Sequence, residues 1–309
     1  MFTHQPVLLD EVIEHLAIKP NGIYIDATFG RGGHARAILR KLSLDGRLVL
    51  IDKDPMAIDI AKKEFLNDAR IVIEQSSFAE LTKIVDKYNF VGKISGILMD
   101  LGVSSPQLDD ASRGFSFSLE GPLDMRMDTT KGVTAADWIA QASEKEIANV
   151  LFDFGEERFA KRIANAIVKK RAEEVFKTTA QLADVVAKAN PKWERHKHPA
   201  TRSFQAIRIF INSELNDLKT VLPQCIDALE VGGRLAIISF HSLEDRIVKQ
   251  FFREQIQGPV LSKSLLMVVK PFSPVLAKIA GPVRASAEEV KDNPRARSAV
   301  LRVVEKIKE

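Results

Sequence analysis

The chain has 309 residues, of which 45% are hydrophobic and 28% are charged, and its formal net charge is +4. This length suits about two domains, each with its own core, and the mild positive charge permits an anionic partner. A single cysteine, Cys225, excludes an intramolecular disulfide and a cysteine zinc cluster. Residues 1–10 carry no signal-peptide pattern, and no apolar run approaches the ~20 residues that span a bilayer. We therefore expect a soluble, cytoplasmic protein without a membrane partner.

The first hundred residues alternate between apolar runs of strand length and segments of helical periodicity. A short helix is expected at 6–16. The predicted strands are 23–27, 47–51, 70–74 and 94–101, and the helices between them are 35–42, 55–65 and 79–87. This alternation predicts an α/β fold with a parallel, doubly wound sheet, in which ligands bind beyond the carboxyl ends of the strands.

The alternation stops after the fourth strand. Residues 102–128 are rich in Gly, Pro, Ser and Asp, and 135–189 have helical periodicity throughout. We predict an inserted helical domain at 112–202 within a discontinuous α/β domain formed by 1–111 and 203–309. The later predictions are a helix at 203–229, a strand at 234–240, a helix at 243–256, closing strands at 265–270 and 299–304, and a loop or short helix at 271–294.

Glycines follow the first predicted strand at positions 30, 32 and 33. A glycine turn between a strand and a helix lets the backbone approach a nucleotide-like ligand, and the helix N-terminus offers free N–H groups. Asp52 ends the second strand, where a carboxylate can accept hydrogen bonds from a ribose diol.

Two cofactor classes fit this turn. Gly30, Gly32 and Ala35 match the dinucleotide fingerprint, with Asp52 at a suitable distance. Asp26, inside the first strand, would repel a pyrophosphate but attract a cofactor with ammonium and sulfonium groups, which describes S-adenosylmethionine. Alternatively, Asp26 caps the loop by accepting hydrogen bonds from backbone N–H groups.

Asp100, near the carboxyl end of the fourth strand, is followed by a loop that contains Pro106 and Gln107. Methyltransferases that act on amino groups place a polar residue and a proline-containing loop at this point. Acceptors on the N–H groups of a base amine help to localise its lone pair for attack on a methyl group. Asp100 is therefore the catalytic candidate; the alternative is an ordinary turn in which it serves as a cap.

A second polar cluster, 239–246, ends the fifth predicted strand. His241 could be a general base or a substrate contact. Ser242 and Asp245 are better explained as a helix N-cap and its capping-box partner. Ser239, His241 and Glu244 could suggest a hydrolase, but the G-x-S-x-G elbow is absent.

Basic residues interleaved with Trp193 form a third cluster, which suits an RNA backbone and a stacked base, although such a run is often only a solvated surface. Phe115 or Phe117 could also stack on a base. His196 and His198 lack the nearby partners of a metal site, so we predict no metal. The members of the cluster are Lys188, Lys192, Trp193, Arg195, His196, Lys197, His198 and Arg202.

Eight segments in order along the chain carry a specific resemblance: 4–11, 26–34, 100–110, 113–117, 121–127, 198–202, 239–246 and 293–298. In these segments the chain resembles the bacterial RsmH (MraW) family, methyltransferases of small-subunit ribosomal RNA. The resemblance implies a class I S-adenosylmethionine-dependent methyltransferase fold, Rossmann-like, with an inserted helical substrate-recognition domain. It also implies N4-methylation of a cytidine in the decoding region of 16S rRNA, at the position usually numbered 1402.

The resemblance further implies contacts to S-adenosylmethionine by Gly32, Gly33, His34, Asp52, Phe78, Asp100 and Gln107. The partner would be 16S rRNA within the small ribosomal subunit. The oligomeric state stays open, with a homodimer as one state to test. The competing functions are a nicotinamide-dependent oxidoreductase that uses the same glycine loop, and a non-catalytic RNA-binding assembly factor.

Overall fold

The computed structural model describes residues 6–193, 198–258 and 272–309. The chain divides into two compact units, one formed by Met1–Gly102 with Leu215–Glu309 and the other by Val103–Glu214. Residues 103–111 and 203–214, which we had assigned to the α/β domain, therefore group with the helical unit. The reason is packing: Phe204, Ala206 and Ile207 are buried in the helical unit's own core.

The first unit is an α/β sheet structure. Its sheet has seven strands in the order β3-β2-β1-β4-β5-β7-β6, and the first five are parallel. The elements are α1 (Leu9–Leu16), β1 (Ile23–Asp26), α2 (Gly33–Leu39), β2 (Arg47–Asp52), α3 (Pro55–Glu64), β3 (Ile71–Gln75), α4 (Leu81–Lys87), β4 (Ile94–Asp100), and the elements that follow the insertion. The chain order reverses between β1 and β4, so their carboxyl ends form the topological switch point, where ligands bind in such sheets.

Both faces of this sheet are buried, which explains why its strands read as continuous apolar runs. Along β1, Ile25 packs in one hydrophobic cluster and Tyr24 in the other. Along β4, Ile97 and Leu98 divide in the same way. Side chains of successive strand residues point to opposite faces, so two apolar layers require an apolar residue at nearly every position.

The end of the sheet is antiparallel, a direction that the sequence analysis did not assign to the closing strands. The elements after the insertion are α11 (Glu214–Ala228), β5 (Leu229–Ser239), α12 (Ser242–Gln257), β6 (Leu276–Val283), α13 (Ala287–Asp292) and β7 (Val300–Lys306). Strand β7 runs antiparallel to β5 and to β6.

Strand β6 lies where we had expected a loop or short helix, and the strand predicted at 265–270 falls outside the described residues. The segment contains Pro274, Gly281 and Pro282, residue types that are rare in the interior of strands. However, β6 is an edge strand whose register with β7 is interrupted twice, and proline is tolerated at such positions.

The second unit is helical, as its periodicity indicated. Its helices are α5 (Ser105–Asp109), α6 (Ala135–Gln141), α7 (Glu144–Gly155), α8 (Ala160–Glu173), α9 (Thr179–Ala189) and α10 (Thr201–Ile211). Reciprocal capping boxes begin α6, α7 and α9. These local signals, together with an apolar stripe on each helix, explain why the sequence identified this unit as helical.

The single helix predicted at 203–229 is instead two helices, α10 and α11, separated at Asn212 and Ser213. The buried Asn212 amide donates to the carbonyl oxygens of Met125 (2.8 Å) and Arg208 (2.9 Å), and its oxygen accepts from Met127 N (2.7 Å). Ser213 then adopts a left-handed φ of 55°. An asparagine side chain that bonds the backbone competes with helix continuation.

In the described part of the chain, no helix is both long and apolar enough to cross a membrane.

Candidate functional site

The glycine turn after β1 brings the backbone into close contact with its surroundings. Gly30 and Gly32 have φ of 53° and 72°, the left-handed region that glycine adopts readily. A Cβ on Gly32 would lie 2.6 Å from the Phe29 ring, and a Cβ on Gly33 would lie 2.1 Å from Pro6 Cγ. The turn therefore requires glycine at these positions for steric reasons.

Asp52, at the end of β2, is tied to this turn. Its two oxygens accept hydrogen bonds from Gly30 N (2.8 Å) and Asp54 N (2.9 Å). Burial raises the pKa of Asp52 to about 6, although the two N–H groups act in the opposite direction. A carboxylate has about four lone-pair positions, so two backbone bonds leave acceptor capacity for a diol.

Asp26 is 1% exposed at the end of β1, and its carboxylate accepts from Thr28 N (3.2 Å). This contact is the loop-capping role that we had considered as the alternative to cofactor binding. Burial, opposed by the hydrogen bond from Thr28 N and reinforced by the nearby Asp52 charge, raises the pKa of Asp26 to about 7. A direct role for Asp26 toward a cofactor stays a prediction.

Asp100 ends β4 beside β1, and its backbone N–H donates to Thr28 Oγ1 (2.6 Å). Within the described residues, its buried Oδ1 has no hydrogen-bond partner. Burial, followed by the charges of Asp26 and Glu244, raises the pKa of Asp100 to about 8. A buried acceptor with no donor is energetically costly. The site therefore fits a ligand that brings a donor or a positive charge to this oxygen.

His34 begins the helix after the turn and faces Asp100. Its Nε2 lies 3.0 Å from the Val7 carbonyl oxygen, and its Nδ1 lies 3.7 Å from Asp100 Oδ2. Since a carbonyl can only accept, Nε2 carries the proton, and Nδ1 is the atom turned toward the carboxyl group. Only the family resemblance assigned His34 to this site. Its partner, Val7, lies just before α1 and not in the glycine turn, so the turn itself gave no sign of this contact.

Phe78 lies after β3 among polar groups that the sequence did not identify. Lys53 Nζ lies 5.8 Å from the Phe78 ring centroid and 2.8 Å from Asp217 Oδ2. Ser77 Oγ also donates to Asp217 Oδ2 (2.8 Å). The sequence could have suggested Lys53 as a site residue, because it directly follows Asp52. It could not have suggested Asp217, which lies 164 residues further along the chain.

Gln107 lies in the second unit, in helix α5. Its side-chain oxygen accepts from Ser104 N (2.9 Å) in a capping box, and the residue is 5% exposed. The structure thus gives Gln107 a local structural role, and its contact with a cofactor stays a prediction.

The cluster after β5 is a helix cap, but its register differs from our prediction by one residue. His241, rather than Ser242, is the N-cap of α12, and Glu244, rather than Asp245, completes the capping box. Asp245 instead binds Arg302 (2.7 and 3.1 Å). Glu244 is 2% exposed, and its Oε2 accepts from Phe240 N and His241 N. After burial and the charge of Asp26, the charge of Glu244 also contributes to the raised pKa of Asp100.

In the helical unit, the basic cluster is only partly described, because Arg195, His196 and Lys197 lie outside the described residues. Lys188 Nζ binds Asp184 (2.7 Å), as expected of a solvated helix face. Trp193, in contrast, is 64% exposed.

The two phenylalanines proposed to stack on a base differ in environment. Phe115 is 5% exposed within the hydrophobic core of the helical unit, so its ring is not offered to a base. Phe117 stacks on His198 with ring centroids 4.6 Å apart.

Comparison with known proteins identifies the family. The model of the MraW methylase family matches residues 1–307. The chain is 53% identical to the ribosomal RNA small subunit methyltransferase H of Coxiella burnetii (strain RSA 331 / Henzerling II), covering 99% of this chain and 100% of that one. It is 56% identical to the protein of the same name from Nitrosococcus oceani, covering 98% of this chain and 97% of that one.

Among solved structures, an rRNA methylase from Streptococcus thermophilus superposes with a TM-score of 0.43 at 12% identity, covering 100% of this chain and 99% of that one. That superposition is too loose to bear on the family. The family assignment rests on the match along nearly the whole sequence, and the observed sheet agrees with it. The chain belongs to the MraW methylase family and has the class I S-adenosylmethionine-dependent methyltransferase fold, Rossmann-like, with a helical unit inserted in the sheet-forming unit.

Proposed function

We propose that this chain transfers a methyl group from S-adenosylmethionine to N4 of a cytidine in the decoding region of 16S rRNA. The observation that carries the proposal is Asp100, whose buried Oδ1 has no donor among the described residues and lies at the switch point of the sheet. The choice of RNA is supported by relatives at 53% and 56% identity, which are named as methyltransferases of small-subunit ribosomal RNA. The choice of cytidine N4 rests on the family resemblance.

The residues at this edge suit S-adenosylmethionine. Asp52 would accept hydrogen bonds from the ribose hydroxyls, for which it has acceptor capacity beyond its bonds to Gly30 and Asp54. Gly32 and Gly33 allow the ligand to approach the backbone closely. Phe78 offers an aromatic ring beside the end of β3. When bound, the cofactor supplies an electrophilic methyl group.

Asp100 would act on the amine that receives the methyl group. Its carboxylate can accept a hydrogen bond from the N4 amino group and so help to localise the nitrogen lone pair, which is otherwise delocalised into the ring. Methylation at N4 also releases a proton, which a carboxylate with a raised pKa can accept. His34, held by Val7, lies beside this carboxyl group, with its Nδ1 3.7 Å from Asp100 Oδ2.

Nucleoside mass analysis tests the proposal directly. The 16S rRNA of a strain that lacks this gene should lose N4-methylation at a cytidine of the decoding region, and complementation should restore it. Complementation with Asp100→Asn should restore much less. If the rRNA of the deletion strain keeps every methylated cytidine, the substrate assignment is wrong.

Calorimetric titration of the purified protein separates the remaining functions. S-adenosylmethionine should bind, and NAD should not, since Asp26 disfavours a pyrophosphate near the turn. Binding of NAD alone would support the oxidoreductase. Binding of RNA with neither cofactor would support a non-catalytic assembly factor.

A further inference from the structure

One carboxylate joins the connections that follow β2 and β3. Asp217 Oδ2 lies 2.8 Å from Lys53 Nζ and 2.8 Å from Ser77 Oγ, so a single oxygen accepts from both side chains. Lys53 directly follows Asp52, the ribose acceptor of the proposed function, and Ser77 directly precedes Phe78, its aromatic residue. Asp217 itself has no place in the chemistry proposed above.

The backbone ladder between β2 and β3 ends just before the residues that Asp217 holds. The two strands pair as far as Asp52 and Gln75, and Ser76 N then donates to the Asp52 carbonyl oxygen (3.0 Å). Past this point the chain after β2 enters α3, and the chain after β3 enters a short turn at 78–80 and then α4. The Asp217 carboxylate bridges the two connections where they separate.

Helix α11 gives Asp217 a rigid base. Its buried face includes Leu218 and Leu222, which belong to the hydrophobic cluster on one side of the sheet. Seven residues after Asp217, and so on the same face of the helix, Gln224 donates to the Ala79 carbonyl oxygen (2.8 Å). The helix therefore holds the connection between β3 and α4 at two points, two turns apart.

The ion pair is largely shielded from water. The side chain of Lys53 is 17% exposed and that of Asp217 is 19% exposed. Lys53 Nζ also lies over the Phe78 ring, 5.8 Å from its centroid, which is within the range of a cation–π contact. Opposite charges attract more strongly when water is excluded, and removal of one partner leaves the other desolvated and unpaired. Asp217 thus sets the position of the ammonium group above the Phe78 ring.

We propose that Asp217 is a positioning residue of the cofactor site. By holding Lys53 and Ser77 at once, it fixes the Phe78 ring relative to Asp52, at the spacing that the adenine and ribose of S-adenosylmethionine require. The inference rests on the proposed function, because it takes the adenosine part of the cofactor to lie between Asp52 and Phe78. Without Asp217, the ligand has to order side chains that the folded protein had already ordered, and this weakens binding.

Calorimetry with two ligands tests this role without turnover. S-adenosylhomocysteine is the cofactor without its methyl group, and 5′-methylthioadenosine has the adenosine part but no amino acid. Asp217→Ala should weaken the binding of both by the same factor, about 10-fold, because the loss is confined to the adenosine end. Asp217→Asn should lie between Asp217→Ala and the wild type, because its amide oxygen still accepts from Ser77 Oγ but carries no charge for Lys53.

Glu305→Ala is the matched control. Glu305 Oε2 lies 2.9 Å from Arg234 Nε, and the two side chains are 26% and 23% exposed, so this ion pair is shielded to a similar degree. It joins β7 to the start of β5, at the opposite edge of the sheet from Asp52 and Asp100. Glu305→Ala should bind both ligands as the wild type does, even where it lowers the melting temperature as much as Asp217→Ala.

Steady-state methylation gives a second readout. Asp217→Ala should raise the KM for S-adenosylmethionine about 10-fold and leave kcat and the KM for RNA nearly unchanged, which is the pattern for loss of uniform cofactor binding. A general loss of folded protein would instead lower kcat and leave both KM values as they are.

The outcomes separate this role from the proposed function. If Asp217→Ala binds both ligands as Glu305→Ala does, or loses affinity for S-adenosylhomocysteine alone, Asp217 does not position the adenosine site, and the proposed function is unaffected. If the wild type binds neither ligand and the rRNA of the deletion strain keeps its methylation, the proposed function fails and this inference fails with it.

Discussion

At the scale of single residues, three carboxyl groups distinguish the edge of the sheet. Asp26, Asp52 and Asp100 have pKa values raised to about 7, 6 and 8, and burial is the first cause in each case. Buried carboxyl groups near one another destabilise the ligand-free protein when they ionise. A ligand that carries positive charge would relieve that repulsion.

We expect Asp52→Ala to weaken S-adenosylmethionine binding by about 1–3 kcal/mol, because two ribose hydroxyls would lose their acceptor. Isothermal titration calorimetry measures the loss. Asp45→Ala, an exposed acid in the turn before β2, is the control and should bind as the wild type does. Unchanged affinity in a folded Asp52→Ala protein would remove Asp52 from the cofactor site.

Cofactor affinity should depend on pH. Since the raised pKa values leave these carboxyls partly protonated near neutral pH, and a cationic ligand favours the ionised form, affinity should rise between about pH 6 and 8.5 and then level off. Binding should release protons, which calorimetry detects in buffers of different ionisation enthalpy. The charges of Asp26 and Glu244 contribute to the raised pKa of Asp100, and His34 Nδ1 lies 3.7 Å from Asp100 Oδ2. Constant affinity over this range would contradict the assignment.

The same groups set the stability of the ligand-free protein, with the opposite sign. Because the pKa of Asp100 is higher in the folded protein than the ~3.9 of an unfolded chain, its contribution is fully present below about pH 4 and is lost as the pH rises through about 8. Asp100→Asn should therefore raise the melting temperature at pH 9 but not at pH 4. A lower melting temperature at pH 9 would contradict the raised pKa.

Asp100→Asn should also slow the chemical step by about 100-fold, as expected for loss of a positioned acceptor. The variant keeps the size of the side chain and one acceptor oxygen but removes the charge. Single-turnover methyl transfer with saturating cofactor isolates this effect from weaker cofactor binding. Wild-type rates in that assay would restrict Asp100 to cofactor binding or to structure.

At the scale of secondary structure, the break between α10 and α11 depends on one side chain. Asn212→Ala would leave Met127 N and Met125 O buried without their partner and should destabilise the helical unit by about 2–4 kcal/mol. Urea denaturation measures this change. Asn165→Ala is the control and should cost less than about 0.5 kcal/mol, because Asn165 lies in the middle of α8 and its side chain donates to the Glu144 side chain (3.0 Å). Equal stability of the two variants would show that Asn212 does not hold the break.

At the scale of the whole molecule, the two units should have separable tasks. Replacing Lys192, Arg195 and Lys197 with Ala should weaken RNA binding and reduce its salt dependence, because fewer phosphate contacts release fewer counterions. Cofactor affinity should remain nearly constant. A filter-binding salt titration and calorimetry on the same preparation compare the two. If the salt slope of the triple variant equals that of the wild type, this run of charges is only a solvated surface.

The sequence by itself determined the α/β unit, the inserted helices, the glycine turn and the positions of Asp26, Asp52 and Asp100. These features depend on local periodicity, on the conformational freedom of glycine and on the rule that parallel strands end at one edge. Only the tertiary structure decided that β6 is a strand, that Asn212 interrupts a helix, that Lys53 and Asp217 meet, and that Arg158 and Trp193 line one cavity. Each of these depends on partners far apart in the chain, whose pairing leaves no periodic signal in the residues themselves.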